Sequence, residues 1–254
     1  MPDAFIDMCI TSPPYDKLRN YKGYSFDFKK IAEALYRVIK VGGVLVWVVS
    51  DATIKGSETG TSFKQALYFM KLGFNLHDTM FYMKKSGMTL NHNRYEQDVE
   101  YMFILSHGPP KSFNPIMVPC VSFGKDGCRN GQQYKSHSIQ GKATRSGKSR
   151  ASIKRDKIKS NIWEYSTGLN NSSNDEVAFE QPAIFPEQLC ADHIYSWSNK
   201  DDLIYDPMIG SGTTAKMAHL QERRWIGSEE SEKYVQLANK RLQPYLMQSR
   251  LNFE

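Results

Sequence analysis

The sequence has no apolar run long enough to cross a bilayer. The longest, Val44 to Val49, falls far short of the ~18 residues a spanning helix needs. Its start, Met1-Pro2-Asp3-Ala4, has no basic region followed by an apolar one, so no secretory leader is visible. Cysteine is scarce. The four cysteines, at 9, 120, 128 and 190, have no C-x-x-C spacing, which argues against a disulfide scaffold and a zinc module. The histidines are scattered without ligand spacing, and no metal site is expected. What remains is a protein of the reducing cytoplasm. With 254 residues, 40% hydrophobic and 12% aromatic, the chain can bury one sizeable core and is too aromatic to be disordered.

Acidic residues are missing from one place in particular. Between Pro119 and Ser160 stand Lys125, Arg129, Lys135, Lys142, Arg145, Lys148, Arg150, Lys154, Arg155, Lys157 and Lys159, opposed only by Asp126 and Asp156. This segment carries more than the whole net charge of +6, and the rest of the chain is slightly acidic. A basic block on a nearly neutral body suggests a polyanion partner; a solvated, charged loop is the plainer alternative.

Three stretches differ in pattern. Residues 1–108 alternate strands and helices. Phe5 to Ile10 reads as a buried strand ending at Thr11, and apolar positions 28, 31, 32, 35, 38 and 39 follow helical spacing until Gly42-Gly43 stops them. Val44 to Val49 is a β-branched strand buried on both faces. Thr61 or Ser62 caps a second helix reaching Leu72, and two further strands are expected at 78–84 and 100–106. Residues 109–181 are rich in Gly, Ser, Lys and Asn and read as a loop-rich basic insertion, with a short strand at 162–165 and a polar, mobile stretch at 168–175. Residues 182–254 return to strand, helix, strand and helix. The order argues for a doubly wound α/β domain.

Two loops could carry chemistry. Gly210-Ser211-Gly212 sits between a strand and a helix start, where glycine lets a ligand approach the backbone and free N–H groups face it. Glu229 follows on the next strand, about twenty residues after Gly210, the spacing of the carboxylate that binds ribose in Rossmann-type sites. No Gly-Lys-Ser/Thr follows this turn, which disfavours nucleoside triphosphate hydrolysis. Ser12-Pro13-Pro14-Tyr15 directly follows the first strand. The prolines lack N–H donors, so the loop offers carbonyl acceptors, a hydroxyl and an aromatic face, a set suited to a planar group bearing an –NH2.

Taken in order, Thr11-Ser12-Pro13-Pro14-Tyr15, then Phe185-Pro186-Glu187-Gln188-Leu189, Asp206-Pro207-x-x-Gly210-Ser211-Gly212-Thr213-Thr214 and Trp225-Ile226-Gly227-x-Glu229, this sequence resembles the S-adenosylmethionine-dependent DNA amino-methyltransferases. The catalytic loop precedes the cofactor turn, the permuted or beta order. The resemblance covers Asp3 to Leu242 outside the insertion. It implies a Rossmann-like methyltransferase fold with a mixed, mostly parallel sheet, S-adenosylmethionine as cofactor and double-stranded DNA as partner. By the same resemblance, Asp206, Pro207, Gly210, Ser211, Gly212 and Thr213 wrap the methionine part of the cofactor, Glu229 binds its ribose, and Phe185 and Pro186 line the pocket. Ser12 and the Pro13 carbonyl hold the target amine, with Pro14 fixing the loop, and Tyr15 stacks on the base. Lys125, Arg129, Lys135, Lys142, Arg145, Lys148, Arg150, Lys154 and Arg155 hold DNA phosphates.

Within this family Ser in the first loop position is commoner for cytosine N4 and Asp for adenine N6. Cytosine N4 is therefore expected, with adenine N6 the alternative. The setting implied is bacterial or phage-encoded restriction-modification, where a cognate restriction endonuclease and a homodimer are known arrangements; the sequence carries no sign of either. Family members usually have a further segment, with a Gly-Asp turn, before the first strand. Met1-Pro2-Asp3 resembles the middle of that region. This suggests a chain truncated or begun at an internal methionine, and leaves a non-catalytic DNA-binding remnant as an alternative of another class.

Overall fold

The computed structural model describes residues 1–14, 26–85, 94–121, 123, 154–168, 171–180 and 184–251. The chain divides into two compact units, one of Met1–Asn114 with Ser160–Glu254 and one of Pro115–Lys159. The first unit begins with β1 (Ile6–Thr11), α1 (Phe28–Val38), β2 (Ile39–Val49), the short hairpin β3 (Thr53–Ile54) and β4 (Ser57–Glu58), α2 (Thr61–Leu72), β5 (Asn75–Lys85) and β6 (Val99–Ser106). The second unit carries β7 (Met117–Pro119) paired antiparallel with β8 (Asp156–Ile158). The first unit resumes with β9 (Ile162–Ser166), a 3-10 turn at Glu176–Glu180, α3 (Glu187–Trp197), β10 (Leu203–Asp206), α4 (Thr213–Leu220), β11 (Arg224–Gly227) and α5 (Glu232–Leu251).

Seven strands form the main sheet in the order β11-β10-β1-β2-β6-β5-β9. The β11–β10, β10–β1, β1–β2 and β5–β9 pairs are parallel, while β2–β6 and β6–β5 are antiparallel, so the sheet is mixed and mostly parallel as expected. The central strands read as continuous apolar runs because both their faces are covered. Val44 to Val49 and Ile6 to Thr11 are buried throughout. On one face Phe28, Trp47 and Phe69 pack ring against ring, with Phe28–Phe69 and Trp47–Phe69 centroids 5.3 and 5.1 Å apart. The buried Trp47 indole N–H donates to Gln65 Oε1 at 2.8 Å, so no polar group is stranded in that cluster. Among the described residues no helix is long and apolar enough to cross a membrane.

Near the start of β1, Asp7 ties three strands together. Lys40 and Lys111 donate to its Oδ1 at 2.8 and 2.7 Å, and the Leu203 N–H donates to its Oδ2 at 3.0 Å. Burial alone would raise this carboxyl; the Leu203 N–H and the two ammonium groups outweigh burial and hold it below the usual carboxylate range.

Three local expectations are corrected. Gly42-Gly43 does not stop α1. The helix ends at Val38, and β2 begins at Ile39 and runs through the glycines. Ile6 faces Ile39 while Met8 faces Val44, so β2 loops out between them, and Gly42 takes the left-handed turn at φ +83°. Neither Thr61 nor Ser62 caps α2. Gly60 holds the cap position without a side chain, and the Asp51 carboxylate in the loop after β2 accepts from the Ser62 N–H at 2.9 Å and from its hydroxyl. The stretch at 168–175 is not a loose polar loop in its described part. Ser172 and Ser173 are buried, and Asp175 is bonded to Lys216, Arg241 and Tyr245, because α4 and α5 supply the polar partners.

Candidate active site

Strands β10, β1 and β2 and the edge strand β11 run parallel, so their C-terminal ends emerge on one edge of the sheet. Open α/β sheets bind ligands at that edge. Cys9 lies beside Tyr205, and Asp206 beside Gly227. The segments that leave β1, β10 and β11 are therefore neighbours: Ser12-Pro13-Pro14, the turn from Pro207 to Gly212, and Ser228-Glu229. Pro13 is buried, and Ser12 and Pro14 are half-buried. Tyr15 lies outside the described residues.

Asp206 closes β10 and is buried. Its Oδ2 accepts from Thr214 Oγ1 at 2.6 Å and its Oδ1 from the Met208 N–H at 3.0 Å. Both donors are neutral, and among the described residues no cation pairs with this carboxylate. Burial pushes the carboxyl up to about 6; the Thr214 and Met208 hydrogen bonds pull the other way without cancelling it, and nearby Glu229 adds to the rise.

The turn after Asp206 depends on two residues of positive φ, Gly210 at +52° and Gly212 at +84°. At Gly212 a side chain is doubly disfavoured, since a Cβ there would meet Ala238 Cβ of α5 at 3.1 Å. Gly212 is also the N-cap of α4 and supplies no side-chain acceptor to the first-turn N–H groups of that helix. Glu229 reaches back to this turn. Its Oε2 accepts from the Gly210 N–H and its Oε1 from the Ser231 N–H, both at 2.9 Å. The carboxylate expected from spacing alone is thus held against the glycine turn. Pro186, buried, is the N-cap of α3, and Phe185 beside it is half-buried.

Ser211 and Thr213 turn inward. Arg241 of α5 donates through Nη1 to the Ser211 carbonyl at 3.0 Å, to Ser211 Oγ at 3.2 Å and to Thr213 Oγ1 at 3.0 Å. What these two residues offer to a ligand is backbone. Arg241, Thr214, Asp175 and Glu187 were not among the residues expected at the site. Thr214 ends the small-residue run of the turn, Glu187 lies in the Phe185–Leu189 motif, and Arg241 is a charge on the apolar side of α5 beside Leu237 and Ala238. Those were the available signals; the partners that give them meaning come from distant segments.

Of the basic residues expected to hold DNA, Lys154 and Arg155 are exposed in the second unit just before β8. Lys125, Arg129, Lys135, Lys142, Arg145, Lys148 and Arg150 lie outside the described residues.

Residues 6–240 match the model of a family described as DNA methylase. The orphan methyltransferase M.BamHII of Bacillus amyloliquefaciens is 51% identical over 248 residues, which span 96% of this chain and 91% of that relative. Among solved structures, the PvuII DNA methyltransferase (cytosine-N4-specific) is similar with a TM-score of 0.67 at 21% identity, over 94% of this chain and 80% of that one. The TTHA0409 protein of Thermus thermophilus, solved as a complex with S-adenosyl-L-methionine, gives a TM-score of 0.60 at 21% identity, over 96% and 90% of the two chains.

Proposed function

Since this chain belongs to the DNA methylase family, we propose that it transfers a methyl group from S-adenosylmethionine to the exocyclic amine of a base flipped out of double-stranded DNA, cytosine N4 in particular. The observation that carries this reading is the shared edge at which β1, β10 and β11 end, with an acceptor loop, a buried carboxylate, a glycine turn and a second carboxylate side by side.

The residues at that edge suit the cofactor. A buried carboxylate held up to about 6 by burial has room for a cation, and the α-ammonium of S-adenosylmethionine is one. The turn at Gly210–Gly212 admits close backbone approach, and Glu229 offers acceptors to ribose hydroxyls. Phe185 and Pro186 line the same pocket. When bound, S-adenosylmethionine supplies an electrophilic sulfonium methyl group. The protein's part is positioning and electrostatics. An aromatic amine donates its lone pair into the ring and is a poor nucleophile. The Ser12 hydroxyl and the Pro13 carbonyl accept its N–H groups in a geometry that favours a tetrahedral nitrogen and returns the lone pair for in-line attack. Tyr15 stacks on the extruded base, which cannot be reached inside a duplex. The basic segment between Pro119 and Ser160 holds phosphates and serves target recognition. Such a reaction takes place in the cytoplasm, where the DNA is. Ser12 at the head of the loop is what favours cytosine N4 over adenine N6.

Mass spectrometry of nucleosides from mixed-sequence DNA, incubated with the protein and S-adenosylmethionine, tests this. N4-methylcytosine is expected, with turnover reduced about 100-fold or more in Ser12→Ala. N6-methyladenine instead would correct the base. The absence of both products would overturn the enzymatic reading in favour of a DNA-binding remnant.

A further inference from the structure

Behind the glycine turn lies a buried ion cluster that the proposed reaction does not use. Arg241 is 1% exposed in its side chain, and Lys216 is 5% exposed. Lys216 Nζ bonds Asp175 Oδ2 at 2.9 Å and Glu187 Oε1 at 2.8 Å. Arg241 bonds the same two carboxylates, through Nε to Asp175 Oδ2 at 2.7 Å and through Nη2 to Glu187. Two cations therefore face two carboxylates, and the charge is balanced without any ligand.

The two cations differ in one respect. The Lys216 ammonium bonds the two carboxylates and lies 4.8 Å from the centre of the Tyr245 ring. Arg241 also reaches the turn, where its Nη1 meets the Ser211 carbonyl, Ser211 Oγ and Thr213 Oγ1. The Ser211 carbonyl lies between the two left-handed residues, Gly210 and Gly212. Those residues have the widest backbone freedom of any in the segment, so the turn needs an external tie to keep one conformation. Glu187, at the other end of the guanidinium, directly follows Phe185-Pro186. Arg241 thus bridges the two segments proposed to flank the cofactor pocket. A planar fork with five donors can span both; a lysine ammonium is a point charge that can serve the carboxylates or the turn.

We propose that Arg241 is a positioning residue for the cofactor: it sets the affinity for S-adenosylmethionine by holding the 210–213 turn against the start of α3. This rests on the cofactor-binding reading above and adds a residue that touches neither cofactor nor base.

The test compares Arg241→Lys with Lys216→Met in three readouts: calorimetric binding of S-adenosylmethionine, thermal melting, and amide exchange at Gly212 and Lys216 in the cofactor-free protein. Those two N–H groups bond the Ile209 and Gly212 carbonyls across the turn. Arg241→Lys is expected to weaken cofactor binding about tenfold or more, with turnover at saturating cofactor within about threefold of the parent, and to speed exchange at both amides about tenfold. Lys216→Met is expected to lower the melting temperature and leave cofactor affinity within about twofold. Equal affinity and equal exchange in Arg241→Lys and the parent would overturn the positioning role while leaving the cofactor reading intact. A parent protein that binds no S-adenosylmethionine would overturn both. If Arg241→Lys gives no cooperative melt, Thr213→Val carries the comparison. It removes one contact of Nη1 and none of the carboxylates, and an affinity loss of about threefold is expected; unchanged affinity there would count against the proposal.

Discussion

Two buried aspartates stand at opposite ends of the same parallel strands. Asp7, near the start of β1, has two lysines and a backbone N–H upon it, and its carboxyl is held below the usual range. Asp206, at the end of β10, has a neutral hydroxyl and a backbone N–H upon it but no described cation, and its carboxyl is pushed up to about 6. Among the described residues, the charge of the first is balanced by lysines and that of the second is not. A buried carboxylate that the protein itself neutralises belongs to the fold. One that the described residues leave without a cation suits the ammonium that the proposed function brings to it.

The sharpest way to break this comparison is to remove each charge in turn. Asp206→Asn should weaken S-adenosylmethionine binding about a hundredfold or more, since a buried ammonium would lose its partner. The same change should make the cofactor-free protein more stable at pH 8. A raised carboxyl costs stability as pH climbs from its unfolded value through about 6, and the amide carries no such cost. The gain expected in urea unfolding is about 1–2 kcal/mol, because an amide cannot accept from both Thr214 and Met208. A loss of stability at pH 8 would contradict the account of Asp206.

Asp7→Asn should do the reverse. Unfolding at pH 7 should show a loss of about 1–3 kcal/mol, with cofactor affinity within about twofold of the parent. The group's folded value is depressed, so its contribution is present above the ordinary carboxylate range and fades as pH falls through the lower folded value. The gap between parent and variant should therefore close in acid. A smaller effect is expected in the pH dependence of cofactor binding. Affinity should fall below pH 6, approaching tenfold per unit, as Asp206 protonates; the dependence should persist in Asp7→Asn and vanish in Asp206→Asn. Smallest of all, Glu229→Gln should weaken cofactor binding about fivefold, since the amide can still accept one bond while losing its hold on either Gly210 or Ser231.

The parts of this molecule that were legible in the sequence are those whose cause is local. The β1 strand, the proline loop, the glycine turn and Glu229 each announce themselves within a few residues, because strand burial, turn sterics and strand–helix–strand spacing are short-range constraints. The parts that were missed have partners far along the chain. Asp51 substitutes for the expected cap of α2 from the loop after β2, across the β3–β4 hairpin. Asp175 sits in a stretch of small polar residues that looks loose until Lys216 and Arg241 are brought to it by α4 and α5. Arg241 itself shows in sequence only as a charge on an apolar stripe, and nothing near it says which carbonyl it will hold. The end of α1 was missed for another reason. Helical spacing runs on through Ile39, yet that residue pairs with Ile6 in the sheet, and strand pairing outweighed the periodicity.

The junctions at residues 114 and 160 bear on inheritance. Asn114 is fastened to the first unit by its own N–H to the Ser196 carbonyl and by its side-chain amide to the carbonyls of Tyr195 and Ser198. On the return, Asn161 donates to the Thr79 carbonyl and accepts from the Phe81 N–H as β9 joins β5. Both stitches use groups outside Pro115–Lys159, so a graft of that cassette from a relative would cross the seam without cutting either one. If that unit serves target recognition as proposed, such an exchange would alter the sequence read and leave the hydrogen bonds at both junctions in place.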